Sequence, residues 1–482
     1  FTLCFEQKGF VLEESNLSRL MISAPLKSAG KTTVSLGIIH NLVEDGVSIQ
    51  SFKKGPDYID PMWLKLASGS DCHNLDPYLM GDKGCLDSFT NNVHKSEMAL
   101  IEGNHGLHDG MSMDGSDSTS GLANLLKTPV LLVLDSRGMN RGAAAVVTGM
   151  QKMFPEPDIA GVVLNHVRSS RQEEKQKAAI EKFCGVPVIG AIPQDDAVKI
   201  PERHLGLTTV EETGNALEII RHAGELIANY CDMKAIQSIF KQATPLEIFP
   251  KKVSTLSQKP SVRIGVFHDS AFCFYYPENL EDLRNKGAEL VFVNALIENY
   301  LPDLDGLYIG GGFPESFFEE LSANRKLLSE VQERVRSGIP VYAECGGFIY
   351  LCKSAHYKGK KYPLAGVLPF DIGFQQKPVG YGYLSLKSRC RSKWFNENAL
   401  VKAHEFHYSK PILAGSSKPI SKLAGTSPGE RYQFNVVRGY GIDGKQDGFL
   451  QHNLFASFAH LHASANPQWA QGFVALASEY QH

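Results

Sequence analysis

The chain has 482 residues, 43% of them hydrophobic and 21% charged, a length too great for one ordinary core and suited to two domains. Its 49 basic and 52 acidic residues leave a formal charge of −3, which offers no electrostatic footprint for nucleic acid or for an acidic membrane. No apolar run approaches the roughly 20 residues needed to span a bilayer, and the nine cysteines form neither a Cys-x-x-Cys pair nor a Cys/His metal spacing. That pattern points to a reduced, cytoplasmic chain in which any special cysteine is catalytic.

Residues 1–20 contain no apolar stretch of the secretory kind and are set apart as an extension without assigned function. Short apolar runs then alternate with helical spacing. Strands are expected at Leu20–Ala24, Val47–Phe52, Met98–Ile101, Pro129–Leu134, Ile159–Leu164 and Val186–Ala191, with helices such as Lys31–Glu44 and Gln172–Phe183 between them. Such alternation predicts a parallel sheet covered on both faces. The proline-, lysine- and serine-rich stretch 244–260 reads as a linker. A second alternating series follows at Val262–Phe267, Leu290–Val293, Gly306–Ile309 and Pro340–Ala343. The expected division is therefore 21–243 and 261–482, both α/β and doubly wound.

Ile22 to Thr33 carries the first chemistry. A strand runs into Pro25-Leu26-Lys27-Ser28-Ala29-Gly30-Lys31-Thr32-Thr33 and then a helix, the context a phosphate-binding loop requires. Ser28, Gly30, Lys31, Thr32 and Thr33 are the candidate ATP contacts, with Lys31 on the outer phosphates and the Thr32 hydroxyl on Mg²⁺. Pro25 stands where the first glycine is usual. A hydroxyl-rich helix cap beside a surface lysine is the plainer alternative, and the strand–loop–helix position favours the P-loop.

Two later loops lie at strand ends, where open α/β sheets bind ligands. Phe52-Lys53-Lys54-Gly55-Pro56-Asp57-Tyr58-Ile59-Asp60-Pro61 holds more charge than a turn needs. Glu102, at the end of the next strand, suits a Mg²⁺-binding carboxylate, and Asp109 shares its glycine-rich loop. His105 and His108, on that loop without cysteine partners, are not expected to be metal ligands. Asp57, Glu102 and Asp109 are expected to contribute little to the core, so that their neutral amides fold normally.

Phe52–Pro61, Asn74-Leu75-Asp76, Ile101–Gly110, Asp135 and the segment 201–207 together resemble the cobyrinic acid a,c-diamide synthase family, in order along the chain from about Met21 onward. The resemblance implies an N-terminal dethiobiotin-synthetase-like P-loop ATPase domain joined to a C-terminal class I glutamine amidotransferase domain. It implies that Asn165 contacts adenine and that Thr32, Asp57 and Glu102 serve Mg²⁺. Lys53, Asp57, Tyr58, Asp60 and Asp109 are implied to face the corrin carboxylates. One departure is Lys27-Ser28, where members of the family usually carry Ser-Gly or Gly-Gly.

In the second half, Pro340–Leu351 reads as strand, sharp turn and helix around Ala343-Glu344-Cys345-Gly346-Gly347. A nucleophile needs such an elbow, and the helix N-terminus with a nearby imidazole is expected to favour the thiolate. A lone strand-end cysteine is more often a buried small hydrophobe; the flanking glycines reverse that preference. Gly311, in Ile309-Gly310-Gly311-Gly312, and Gly346 are the candidate oxyanion-hole donors. His460 matches the base of the family. Where class I amidotransferases carry a glutamate two residues further on, this chain has His462, which leaves open what orients His460. His404-Glu405-Phe406-His407-Tyr408-Ser409 also matches the family and receives no chemical role.

The implied reaction is ATP- and glutamine-dependent amidation of the a and c acetates of cobyrinic acid through an acyl phosphate, with ammonia from a Cys345 thioester delivered within the protein. Ni-sirohydrochlorin and hydrogenobyrinate are alternative acceptors; the Gly-Pro-Asp-Tyr-Ile-Asp-Pro loop argues against the cobyric acid synthase reaction. A P-loop partitioning or maturation ATPase with a degenerate amidotransferase domain is the alternative of another class. The expected partners are a tetrapyrrole and glutamine, with no nucleic acid or membrane, and a homodimer is left open.

Overall fold

A computed structural model of the protein describes residues 13–15, 17–93, 96–203, 206–248, 260–413 and 432–481. The chain divides into two units, Phe1–Val253 and Ser254–His482. The division falls inside the predicted linker, most of which (249–259) lies outside the described residues, as do His204 and Leu205 of the 201–207 segment.

Unit 1 is built on seven parallel strands in the order His73–Leu75, Ile49–Lys54, Met98–Glu102, Ser18–Ser23, Val130–Asp135, Ile159–Val167 and Val188–Pro193. The central strands are buried along almost their whole length, which is why their middles read as apolar runs. Helices Lys31–Glu44, Ile59–Ser68 and Ala216–Tyr230 pack on one another, and Gly142–Lys152 packs on Ser170–Cys184. The helix at Ser170 starts where the Ser169 hydroxyl accepts from the Gln172 N–H and stops at Gly185 in the left-handed region.

Two boundaries differ from the sequence reading. The first sheet strand begins at Ser18, inside the stretch set apart as an extension, and Glu13–Ser15 pairs antiparallel with Leu246–Ile248 from the predicted linker. Arg19 explains why these ends belong to the unit. Fully buried, it donates to the carbonyls of Leu17, Leu126, Lys127 and Thr244, and burial pulls its guanidinium down to about 10.

Unit 2 carries a ten-stranded sheet with two characters. Ala288–Val293, Val262–Phe267, Gly306–Ile309, Val341–Glu344 and Leu454–Ser457 run parallel. The order continues through antiparallel strands Gln446–Gln451, Tyr432–Arg438, Gly380–Ser388 and Leu400–His407, and ends on His460–Leu461. Leu454–Ser457 and His460–Leu461 thus have four strands between them in the sheet and only a few residues between them in the chain. The antiparallel part must curl until its far edge returns to the central strand, which brings His460 and Leu400–His407 back to the end of Val341–Glu344.

Candidate functional site

The unit 1 site begins at the turn between Ser18–Ser23 and Lys31–Glu44. Gly30 precedes the helix at φ 95, and a Cβ there would fall 2.1 Å from the Asn165 amide nitrogen, so only glycine fits. Asn165 itself donates to the Ala29 carbonyl at 2.9 Å. The residue expected at adenine is, in this structure, turned to the loop and braces it. Lys31 Nζ donates to the His105 carbonyl at 2.7 Å, and burial, with Lys53 nearby, pulls its ammonium down to about 8. Ser28 is exposed and Thr32 and Thr33 are half-buried at the start of the helix.

Glu102 joins the P-loop to the acidic loop. Its Oε1 accepts from the Thr32 hydroxyl at 2.9 Å and from Lys53 Nζ at 2.7 Å. Lys53 also contacts Asp60 at 2.5 Å and Asp57 at 4.0 Å. Burial alone would strip Lys53 of its proton, but Asp60, Glu102 and Asp57 hold it above its ordinary range. Burial likewise works against the charge on Asp60, yet Lys53 keeps that carboxyl below the usual range. Burial pushes Glu102 up despite Lys53. Asp57 accepts from the N–H groups of Ile59 and Asp60 and so tethers the start of Ile59–Ser68.

These positions revise two expectations. Lys53, assigned to the substrate, is 1% exposed and committed to the carboxylates above it. Glu102 is fully buried in an ion pair, so its neutral amide cannot be innocuous to the fold. Asp109 is exposed and accepts from the Gly106 N–H, as a loop carboxylate should. Tyr58 is buried. His108 engages Met150 and Ser120 through its two ring nitrogens, a structural role. Asp135 is held by Arg137 and lies 3.4 Å from His166.

Among the described residues no group of three or more His, Cys, Asp or Glu side chains is arranged to hold a metal ion. A Mg²⁺ shared with nucleotide phosphates needs fewer protein ligands, typically one or two carboxylates. Thr32 and Glu102 fit that demand: Glu102 Oε2 is buried and makes no hydrogen bond.

In unit 2, Cys345 has φ 47 and ψ −95 between the strand Val341–Glu344 and the helix Gly346–Leu351. That strained backbone is the mark of a nucleophile elbow. Its N–H donates to Ser457 O at 2.8 Å, and its thiol points to the Phe406 carbonyl at 3.9 Å. The thiol is pushed well above its ordinary value, chiefly by burial, while the Gly346 N–H pulls the other way. The resting residue is therefore a thiol, contrary to the thiolate expected from the helix terminus. Gly311 lies against both halves of the site. A Cβ there would meet His460 Cε1 at 2.3 Å, and one on Gly346 would lie 3.4 Å from the Gly311 carbonyl carbon. Burial, then His404 and His407, pulls His460 down to about 3, so its imidazole is neutral. His404 pairs across the strands with His460, and burial draws it down to about 4.

Sequence reasoning passed over two residues here. Glu405 accepts from the N–H groups of Tyr440 and Gly441 and lies 3.6 Å from His407, which gives part of the unassigned 404–409 motif a structural task. Glu344 lies 3.9 Å from His460 Nδ1. Its place next to Cys345 was the available signal.

The description "CobQ/CobB/MinD/ParA nucleotide binding domain" matches residues 21–207, and "CobB/CobQ-like glutamine amidotransferase domain" matches 263–468. The chain is 42% identical to the cobyrinate a,c-diamide synthase of Magnetococcus marinus, covering 94% of this chain and 96% of that one. It is 37% identical to the enzyme of that name from Archaeoglobus fulgidus (96% and 98% covered) and 36% to that from Methanobrevibacter smithii (96% and 99%).

Proposed function

The chain belongs to the cobyrinate a,c-diamide synthase family, and from that premise we propose that it amidates the a and c acetate carboxylates of cobyrinate, using ATP and glutamine. The observation that carries the synthetase half is Glu102, which touches both the P-loop hydroxyl and the buried lysine of the Gly-Pro-Asp loop.

A carboxylate cannot condense with ammonia in water, because its oxygen is a poor leaving group. Lys31, freed from the His105 carbonyl, would hold the γ-phosphoryl group as the substrate carboxylate attacks it. Thr32 and Glu102 would hold Mg²⁺, with Asp57 close by, and the ion would neutralise charge on the phosphates. Tyr58 and the rim carboxylates Asp57 and Asp109 are the candidate contacts to the macrocycle, while Lys53 and Asp60 support them from below. Asn165 would fix the P-loop and, through it, the nucleotide.

In the glutaminase half Cys345 Sγ attacks the glutamine side-chain carbonyl as its proton passes to His460. The C–N bond then breaks, and the imidazolium returns that proton to the departing NH₂ to give ammonia. Gly311 and Gly346 would donate N–H groups to the oxyanion. Water, giving a proton to His460, then cleaves the thioester, releasing glutamate and restoring the thiol. Two cycles give the diamide. The reading places the enzyme in the cytoplasm, where Cys345 stays reduced, as a monomer or homodimer.

The test offers purified enzyme cobyrinate, hydrogenobyrinate and Ni-sirohydrochlorin together at low concentration, with ATP, Mg²⁺ and glutamine. The expected result is preferential conversion of cobyrinate, with two carboxyl-to-amide mass changes per molecule. Preference for Ni-sirohydrochlorin would overturn the acceptor while leaving the mechanism. Glutamine-independent ATP turnover without any amide product would overturn the reaction.

A further inference from the structure

The glutaminase reading leaves a gap, since His462 occupies the position from which a glutamate usually orients the base. His462 cannot fill it. It is fully buried, lies 3.6 Å from Glu278, packs on the Tyr276 ring and accepts from the Ser464 N–H, a setting of its own. Glu405 is committed to backbone donors and to His407, and Asp447 accepts from Ser457, Gly448 and Phe458. Among the described residues, Glu344 lies within ion-pair distance of His460, its Oε2 3.9 Å from Nδ1.

We propose that Glu344, the residue before the nucleophile, is the positioning carboxylate of the glutaminase site, holding His460 by Nδ1 and stabilising the imidazolium formed when Cys345 gives up its proton. This rests on the glutaminase reading of unit 2 above. Three donors fix the carboxylate. Oε1 accepts from the Tyr342 hydroxyl at 2.6 Å and the Leu461 N–H at 2.9 Å, and Oε2 accepts from the Tyr308 hydroxyl at 3.1 Å. The Leu461 bond anchors the backbone beside His460 while Oε2 lies 3.9 Å from its ring. That separation is an ion-pair distance, and catalytic contacts of this kind commonly tighten only once substrate binds. With Nδ1 turned to Glu344, Nε2 is the nitrogen left for the thiol proton.

The arrangement makes a pH-dependent claim. Cys345, Tyr275, Tyr308, Tyr342 and His460 are the titratable neighbours of Glu344. Burial pushes the thiol and the three phenols well above their ordinary values and pulls His460 down to about 3. Burial lifts Glu344 itself to about 7, against hydrogen bonds from Tyr342, Leu461 and Tyr308. Of these groups Glu344 ionises near neutrality, and Asp447, which acts on Tyr342 and is also lifted to about 7 by burial, titrates in the same range; the limb belongs to Glu344 only if it is lost in Glu344→Gln. Glutamine turnover should therefore rise with pH through about 7 as the carboxylate that stabilises the imidazolium forms.

The experiment compares full-length wild type, Glu344→Gln, Glu344→Asp and Cys345→Ser for synthesis from glutamine and from ammonium. For Glu344→Gln the expected loss is roughly 10²-fold in glutamine-dependent kcat/KM, carried by kcat. Ammonium-dependent synthesis should be retained, the limb near pH 7 should disappear, and Glu344→Asp should recover part of the rate. Glutamine use within about threefold of wild type, loss confined to KM, or an unchanged limb would overturn the proposal. If Glu344→Gln does not fold, Glu344→Asp decides by whether its limb moves. Persistent glutamine use by Cys345→Ser would instead overturn the underlying glutaminase reading.

Discussion

The two candidate sites differ in whether the protein supplies a buried counter-ion. Unit 1 gathers Asp57, Asp60 and Glu102 around an ammonium belonging to the protein; that charge keeps Asp60 below the usual carboxylate range, while burial still lifts Glu102 and pushes Asp57 up to about 7. Unit 2 buries Glu344, Cys345, His404 and His460 together, and among the described residues no lysine or arginine pairs with Glu344. There burial drives the cysteine and histidines to their neutral forms and lifts Glu344 into the neutral pH range. The difference follows the chemistry proposed for each. A phosphoryl group brings its own negative charge and needs a framework already balanced, whereas attack on an uncharged amide creates charge only in passing.

The comparison breaks first at Lys31. Lys31→Ala should reduce amide formation by 10²-fold or more with either glutamine or ammonium, since both require the activated carboxylate; near-normal ATP-dependent product would remove the P-loop from the account. Cys345→Ala should abolish glutamine use and spare synthesis from high ammonium, and His460→Ala should follow it. A more damaging His462→Ala would mean that the base is the other histidine.

Stability sharpens the contrast. Lys53→Met should destabilise unit 1 by about 3–5 kcal/mol, because it strands buried carboxylates; denaturant unfolding with an unchanged midpoint would show that Lys53 is not their counter-ion. Asp109→Asn, at an exposed loop, should shift stability by no more than ~0.5 kcal/mol while synthesis falls. Glu344 should give a signature of the reverse sign. Its carboxyl is raised from 4.5 to about 7 by burial, so the stability it contributes is complete below pH 4.5 and is lost as pH rises through 7. That interval corresponds to roughly 3 kcal/mol. Glu344→Gln should therefore gain about that much relative to wild type between pH 5 and pH 8, read from urea midpoints.

Much of this was legible in the sequence where the signal is local. The helix Lys31–Glu44 and the strands Val262–Phe267 and Gly306–Ile309 have the predicted bounds, and the elbow at Cys345 was readable from its glycines. The rest depends on contacts distant in the chain. Which way Lys53 points is decided by Glu102, 49 residues later, and the turning of Asn165 to the P-loop by Ala29, 136 residues earlier. The meeting of Glu344 with His460 requires the antiparallel strands to curl back to the parallel ones, which no periodicity within either segment encodes.

The backbone of Cys345 has a further consequence for how such a protein ages under relaxed selection. At φ 47 and ψ −95 any side chain is strained, typically by 1–3 kcal/mol, and glycine alone is at ease there. The residue that the proposed reaction demands is thus one that folding opposes. Cys345→Gly should be inactive with glutamine yet more stable than Cys345→Ala, and a descendant that had come to live on free ammonia would gain stability by drifting to glycine at this position. On the proposed glutaminase chemistry, the cysteine is held at this position against a standing conformational penalty.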